Sequence, residues 1–372
     1  MKIAINGRLL GDRLEGIGHY TVEITRRMAQ EHPNDDFVII TDRQIDQELF
    51  TQKNISFYKT GIPTRHPISW YLWFEYFLPR VLSQISAQVF YSTEGMISLK
   101  TKTPTLMTIH DLAYIHFPKG SISSHRSYLN HFMKKYISRA DRITCVSQFT
   151  KEDVCKQFPK AASKTSVHYN GLRSEFEPML PQAVQKIQDE YCEGNKYILY
   201  MGALHPRKNV VRLIQAFEQY KEESGDKICL MIAGRLAWRS HEIRKAVLSS
   251  KYWDDIIHVT EFEDNLSELV GAAHCICYIS LFEGFGLPVL EGMGSGVPVV
   301  TSAGSAMAEI SKGAAIYVDP YSVEQIANGM KAAINDERLR EALIEEGKKI
   351  AKEYSWNDTA ERIYGELSAL AG

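Results

Sequence analysis

The chain has 372 residues, 44% of them hydrophobic and 24% charged, with a net charge of −2 and a pI of about 6.6. That size and balance predict a soluble globular protein of two ordinary domains, and the lack of a basic excess argues against a nucleic-acid partner. No apolar run approaches the roughly 18 residues of a membrane span, and residues 1–8 turn polar too early for a secretory signal, so cytoplasmic residence is expected. The six cysteines make no pair of C-x-x-C motifs and read as reduced core thiols rather than metal ligands.

Residues 2–5 read as a first strand, 6–18 as a polar loop with four glycines, and 19–30 as a helix with Tyr20, Ile24 and Met28 on one face. Strand, glycine loop and helix open a Rossmann-like unit. Yet Gly16-Ile17-Gly18 lacks a third glycine, and no acidic residue ends the next strand, 37–40, so a dinucleotide fingerprint is absent. The stretch 65–82 is aromatic, with Trp70, Tyr71, Trp73, Phe74, Tyr76 and Phe77. It reads as a partly buried helix, with an acceptor groove or membrane contact as the functional alternative. Only Arg65 and Arg80 flank it with the cations a membrane helix wants, so the stretch does not predict strong attachment. Strands follow at 88–91 and 105–109. The second ends in His110-Asp111, at the strand end where open α/β sheets bind ligands; a structural histidine is the plain alternative. Residues 119–142 are rich in Lys, Arg and His and read as a solvated helix face, or as a surface for an anionic acceptor. The strand 142–147 ends in Ser147, placed to cap the next helix.

Pro178, Pro181 and a polar stretch then read as a linker over 176–195. A strand over 197–201 leads through Gly202 to Arg207-Lys208-Asn209 and a helix from about 210 to 220. A guanidinium and an ammonium at such a turn suit a diphosphate, although a surface turn would carry them as readily. Strands are expected at 228–233 and 256–262. Cys275 to Ser280 is another, followed by Glu283 to Glu291, a short helix from Pro288 ended by Gly294 and Gly296, and a strand over 297–301. Backbone N–H groups at such a helix start suit a phosphate, whereas the flanking glutamates suit sugar and ribose hydroxyls. The plain alternative is a glycine loop with a glutamate favoured by the helix dipole. Residues 323–354 read as helical, and 356–370 as a last amphipathic helix.

The run Glu283-Gly284-Phe285-Gly286-Leu287-Pro288-Val289-Leu290-Glu291, continued through Gly292 to Val299, resembles the signature of the family-4 retaining glycosyltransferases. Gly16 to Tyr20, His110-Asp111, Asn170-Gly171 and Gly202 to Asn209 are similar to further elements of that family. The resemblance implies an α/β fold of GT-B architecture, two Rossmann-like domains with parallel sheets facing across a cleft that closes over the donor. Residues 1–175 would form the acceptor-side domain, 176–195 the linker and 196–354 the nucleotide-sugar domain, with 355–372 a helix crossing back to the first.

By the same resemblance Arg207 and Lys208 neutralise the leaving diphosphate, Glu283 holds sugar hydroxyls, Glu291 the ribose, and His110 lies near the transferred sugar. The implied catalytic residues are therefore His110, Arg207, Lys208 and Glu283. The implied donor-binding residues are Gly16, Gly18, Gly202, Gly284, Phe285, Gly286, Leu287 and Glu291. His19, which replaces a common arginine, and Asp111 fall on the acceptor side. Ala203 stands where many members carry an arginine, and Arg207 is read as its substitute. The donor implied is a nucleotide diphosphate sugar, GDP-mannose ahead of UDP-glucose, used without cofactor or metal; no D-x-D motif occurs. The acceptor implied is a saccharide or lipid-linked glycan, with peripheral membrane contact. A nucleotide-sugar 2-epimerase and a non-catalytic sugar-nucleotide-binding module are the alternatives.

Overall fold

The computed structural model describes residues 1–11, 14–120, 122–235, 241–260 and 265–372. It divides into two compact units, one of residues 1–171 with 355–372 and one of residues 172–354.

The first unit is built on β1 (Lys2–Asn6), β2 (Asp36–Thr41), β3 (Ile55–Lys59), β4 (Val89–Ser92), β5 (Thr105–Ile109), β6 (Arg142–Cys145) and β7 (Thr165–Val167), in the order β3-β2-β1-β4-β5-β6-β7. All pairs are parallel, with Ile3 opposite both Phe37 and Val89. β4 and β5 are buried at every position. Such unbroken apolar runs, rather than alternation, are what a sheet covered on both faces requires. The strand order reverses between β1 and β4, so the crevice between their carboxyl ends is the natural ligand position of this sheet.

The first helix, Gly16–Glu31, begins three residues earlier than the apolar spacing predicts. Gly16 and Gly18 therefore lie in its first turn and not in a loop. A Cβ on Gly18 would come within 3.2 Å of the Leu9 carbonyl oxygen, whereas one on Gly16 would meet nothing within 4 Å. Tyr20, Ile24 and Met28 are buried together, as their spacing requires. The aromatic stretch forms helix Pro67–Leu72, a π-helical turn Trp73–Phe77 and helix Leu78–Gln84. Trp70, Trp73 and Phe74 join the core, while Ile68, Leu72 and Tyr76 are exposed. Helix Ser123–Arg139 packs beside it, and Ser147 caps helix Gln148–Gln157 by accepting the Thr150 N–H at 3.0 Å.

The last helix, Trp356–Ala371, belongs to the first unit. The Tyr364 hydroxyl donates to Asp35 at 2.6 Å, and its ring stacks on His32 with centroids 3.3 Å apart. Arg142 pairs with Glu366 at 2.6 Å.

The second unit holds β8 (Tyr197–Met201), β9 (Cys229–Ala233), β10 (Ile256–Val259), β11 (Cys275–Tyr278), β12 (Val299–Ser302) and β13 (Ile316–Val318), ordered β10-β9-β8-β11-β12-β13 and again all parallel. Here the order reverses between β8 and β11. Cys275 and Cys277 are buried free thiols in β11. The strand expected over 256–262 is described to Val259; Glu261 and Phe262 lie outside the described residues.

Two expectations change. Much of the stretch read as linker is helix Pro181–Cys192, counted with the second unit. Pro181 opens it, where a missing N–H costs nothing, and Ile187 and Cys192 are buried. Polarity alone concealed an amphipathic period. The long helix expected over 323–354 is two, Val323–Asn335 and Glu337–Ala351. Asp336 takes a non-helical conformation and accepts the Leu339 N–H at 3.0 Å, so a capping side chain restarts the helix.

Candidate functional site: a cation–carboxylate cluster at the second switch point

The loops leaving β8 and β11 meet where the strand order of the second unit reverses. From β8, Gly202 has φ +130° and donates its N–H to the Ala233 carbonyl at 2.9 Å. The backbones are so close that a Cβ on Gly234 would lie 2.1 Å from the Gly202 carbonyl oxygen. A short 3-10 turn, Pro206–Lys208, follows, and its Arg207 N–H is accepted by His205 Nδ1 at 3.2 Å. Asn209 then adopts φ +63°, as asparagine tolerates. Its side chain donates to the Ile279 and Pro320 carbonyls and so ties this turn to the β11 loop.

That turn aims both cations at Glu283. Lys208 Nζ is 2.7 Å from Glu283 Oε1, and Arg207 Nη1 is 3.0 Å from Oε2. Arg207 also donates to the Phe282 carbonyl, and Lys208 to the Tyr278 hydroxyl. The Ser280 hydroxyl donates to Oε1 at 2.6 Å and the Tyr278 hydroxyl at 3.2 Å. Glu283 is only 8% exposed. Burial alone would raise its carboxyl, but the charges of Lys208 and Arg207, with the hydrogen bonds from Lys208 and Ser280, bring it down to about 2. Burial pushes the Tyr278 phenol well up, and the Glu283 charge adds to this, so it remains a hydrogen-bond donor. The result is an ionised carboxylate with two cations at the carboxyl edge of a parallel sheet.

Beyond Glu283 the chain turns through Gly286, at φ +105°, into helix Leu287–Gly294. A Cβ on Gly286 would lie 2.6 Å from the buried Met307 Cγ. Gly286→Ala is therefore expected to cost about 2–3 kcal/mol, from left-handed strain plus overpacking. Chemical denaturation would read this as a lower midpoint at unchanged slope. The Phe285 side chain is buried against Tyr354, with ring centroids 6.0 Å apart. Glu291, 4% exposed, lies on the helix and pairs with Arg173 at 2.8 Å. Burial raises its carboxyl and the Arg173 guanidinium offsets this in part, leaving it above its ordinary value.

In the first unit His110 ends β5. Its Nε2 donates to the Thr93 carbonyl at 2.8 Å, which fixes the tautomer and leaves the lone pair on Nδ1. Burial lowers its pKa and keeps the ring neutral. The Tyr20 ring stands edge-on to it at 4.8 Å. Asp111, the residue read as acceptor-side, follows it in the chain. Its Oδ1 accepts the Ala113 N–H at 2.9 Å, capping the next turn, and the group that orients His110 is the Thr93 carbonyl. His19 is half-buried near the start of helix Gly16–Glu31, and its N–H is accepted by the Glu15 carbonyl.

The fold thus gathers Arg207, Lys208 and Glu283 into one cluster, with Gly202 and Gly284 to Gly286 on the flanking loops and Leu287 opening the helix that follows, and holds Glu291 beside Arg173. His110, Asp111, His19, Gly16 and Gly18 belong to the other unit. Sequence reasoning missed Tyr278, Ser280 and Arg173. Ser280 stands three residues before Glu283, a hint of local pairing, but Arg173 is 118 positions from Glu291 and gives no local signal. It also missed a buried pair at the first switch point: Arg8 Nε donates to Glu94 Oε1 at 2.7 Å, and Asn6 reaches the same oxygen at 2.7 Å.

Two doubly wound units of this kind define the GT-B architecture. Residues 184–350 match the family model described as glycosyl transferases group 1, and residues 14–176 that described as glycosyltransferase family 4. The chain belongs to this glycosyltransferase family. It is 28% identical over 254 residues to O-antigen chain mannosyltransferase B of Escherichia coli, covering 68% of this chain and 66% of that one. It is 26% identical over 279 residues to the O-antigen chain mannosyltransferase RfbU of Salmonella typhimurium, covering 74% and 73%. Among solved structures, WaaG, a glycosyltransferase involved in lipopolysaccharide biosynthesis, superposes with a TM-score of 0.80 at 16% identity, over 98% of this chain and 99% of that one. HepE of Anabaena, in complex with UDP-glucose, does so with a TM-score of 0.79 at 17% identity, over 99% and 100%.

Proposed function

We propose that the chain transfers a hexose from a nucleotide diphosphate sugar to a saccharide or lipid-linked acceptor in surface polysaccharide synthesis, with retention of anomeric configuration. The observation that carries this reading is the Lys208–Glu283–Arg207 cluster at the β8/β11 crevice. A diphosphate leaving group develops negative charge as the sugar departs, and a preorganised ammonium and guanidinium in a buried site stabilise that charge. In this reading the two cations replace a metal, and no cofactor is used. Glu283 holds donor hydroxyls and Glu291 the ribose, while backbone groups of Gly202, Gly284, Phe285, Gly286 and Leu287 line the donor. His110 faces the transferred sugar, Gly16 and Gly18 approach the donor, and His19 and Asp111 lie on the acceptor side.

The reaction needs no protein nucleophile. The acceptor oxygen bonds to the anomeric carbon on the face from which the diphosphate leaves. The bond from that carbon to the phosphate oxygen breaks, and the departing oxygen takes the acceptor proton. Mannose is favoured as the sugar, with GDP as its carrier, because two relatives are named O-antigen mannosyltransferases. A lipid-linked acceptor would bring the protein to the cytoplasmic face of the membrane.

Thermal-shift titration with GDP, UDP, ADP and their sugars tests the donor. GDP and GDP-mannose are expected to raise the midpoint by mass action, and Glu283→Ala is expected to weaken the sugar nucleotide more than the free nucleotide. No shift with any nucleotide would overturn the reading. A shift with turnover of the donor in the absence of acceptor would point to an epimerase instead.

A further inference from the structure

We propose that the Arg8–Glu94 pair at the carboxyl ends of β1 and β4 binds a neutral pyranose, the sugar residue of the acceptor that receives the transferred hexose. The proposal rests on the transfer reading above, with the acceptor on the first unit, and names the chemistry by which that unit recognises it.

The pair stands where the strand order of the first sheet reverses, the ligand position of an open α/β sheet. Arg8 lies two residues beyond β1 and Glu94 two residues beyond β4. Arg8 Nε donates to Glu94 Oε1 at 2.7 Å and Nη2 donates to Oε2, a two-pronged contact that fixes both planar groups. Asn6 completes the frame. Its Nδ2 donates to Glu94 Oε1 at 2.7 Å and to Ser92 Oγ at 3.1 Å, and its Oδ1 accepts the Arg8 N–H at 3.0 Å. The guanidinium lies over the Trp70 ring, with Cζ 5.2 Å from the centroid. Arg8 and Glu94 are 6% and 4% exposed, and Trp70 belongs to the hydrophobic core. Such a pair is not what a stable fold requires. Two charges among apolar neighbours lose hydration, and well-packed apolar residues in their place are as stable or more so. A charged pair built into the ligand position of the sheet points to recognition instead.

Its neighbours say which ligand. Thr93 and Glu94 are consecutive: the Thr93 carbonyl holds His110 Nε2 at 2.8 Å, and the Glu94 carboxylate holds Arg8. A sugar on the pair therefore stands beside the imidazole assigned to the transferred hexose, which is the place of an acceptor. Glu94 takes two of the five N–H groups of the guanidinium and accepts three hydrogen bonds in all, from Arg8 and Asn6. Donors and acceptor lone pairs set side by side match vicinal hydroxyls, each of which both donates and accepts. The pair has no net charge, and its carboxylate repels a phosphate. His125, with its ring centroid 4.5 Å from that of Trp70, adds no cation at neutral pH: burial lowers its pKa, and the charges of His66 and Arg8 lower it further. A neutral pyranose is thus selected over a sugar phosphate or a diphosphate.

Saturation-transfer NMR on the full chain tests this with methyl α-D-mannopyranoside, methyl β-D-glucopyranoside and mannose 6-phosphate as probes. The wild type is expected to saturate at least one neutral glycoside, and more strongly than the phosphate, a comparison that needs no variant. Arg8→Met/Glu94→Leu replaces the pair by apolar side chains, so its thermal midpoint is expected to stay level or rise. Its affinity for the glycoside is expected to fall about a hundredfold, the loss of two hydrogen bonds to charged groups. Its thermal shift with GDP should equal that of the wild type, because the pair lies in the first unit. Glu94→Gln should lose the glycoside as well and also lower the thermal midpoint, since it leaves Arg8 buried without its counter-charge. Saturation of neither glycoside, stronger saturation of the phosphate, or undiminished saturation in the folded double variant would overturn the proposal. A wild type that binds the glycoside but shows no shift with any nucleotide would remove the donor reading alone.

Discussion

Lys208→Ala is expected to lower kcat about 10²–10³-fold while leaving the fold intact, the loss found when one preorganised group facing a developing negative charge is removed. Its ammonium is held by Glu283 and by the Tyr278 hydroxyl, so it waits in one position rather than sampling solvent. Folding should tolerate the change, because Glu283 keeps Arg207 at 3.0 Å and Ser280 at 2.6 Å. Lys208→Arg should not rescue activity: a planar fork does not occupy the place of a point charge among Tyr278, Ser280 and Glu283. Arg207→Ala should cost less, about tenfold, since part of the guanidinium's donor capacity is committed to the Phe282 carbonyl. Steady-state kinetics with the thermal midpoint of each variant would check this. A larger loss for Arg207 than for Lys208 would transfer the leaving-group role to Arg207.

Glu283→Gln is expected to destabilise the second unit by about 3–5 kcal/mol at neutral pH, because it leaves two largely buried cations without their counter-charge. The pH dependence gives an independent reading. The Glu283 carboxyl falls from an ordinary value of 4.5 to about 2 in the folded protein. A depressed carboxylate contributes stability above its unfolded value and loses it as the pH falls through the folded one. The contribution, of order 3 kcal/mol by linkage, is therefore complete above about pH 4.5 and gone below about pH 2. In Glu283→Gln that segment of the acid limb should flatten. Denaturant titrations at several pH values would measure it, and an unchanged acid limb would mean that the cations do not hold the carboxylate as the geometry indicates. Adding Lys208→Met to Glu283→Gln should recover part of the neutral-pH loss, since one orphaned charge is then removed.

Much of the fold was legible in the chain because its signals are local. Buried parallel strands such as Thr105–Ile109 and Cys275–Tyr278 are short unbroken apolar runs, and the Tyr20, Ile24 and Met28 spacing declares the buried face of the first helix. The nine residues from Glu283 to Glu291 carried both the turn and the family resemblance. Gly16 and Gly18 read as loop because glycine has low helix propensity; at Gly18 the close approach of the Leu9 carbonyl leaves no room for a Cβ, so glycine is the residue this first turn takes there. The helix Pro181–Cys192 was hidden by polar residues that needed only a narrow buried stripe to hold it.

The amino-acid sequence by itself determined the two-unit α/β architecture, the cations at 207 and 208, and the paired glutamates, since each is written within a few consecutive residues. Tertiary structure alone decided that Lys208 meets Glu283 across 75 positions and that Arg173 meets Glu291 across 118. It alone set the orientation of His110 by the Thr93 carbonyl and joined the rings of Tyr76 and Tyr71 to that of Phe132 on another helix. The reason is physical: side-chain chemistry is encoded locally, but the distance between charges far apart in the chain is fixed only when parallel strands stack in an order that the chain does not spell out.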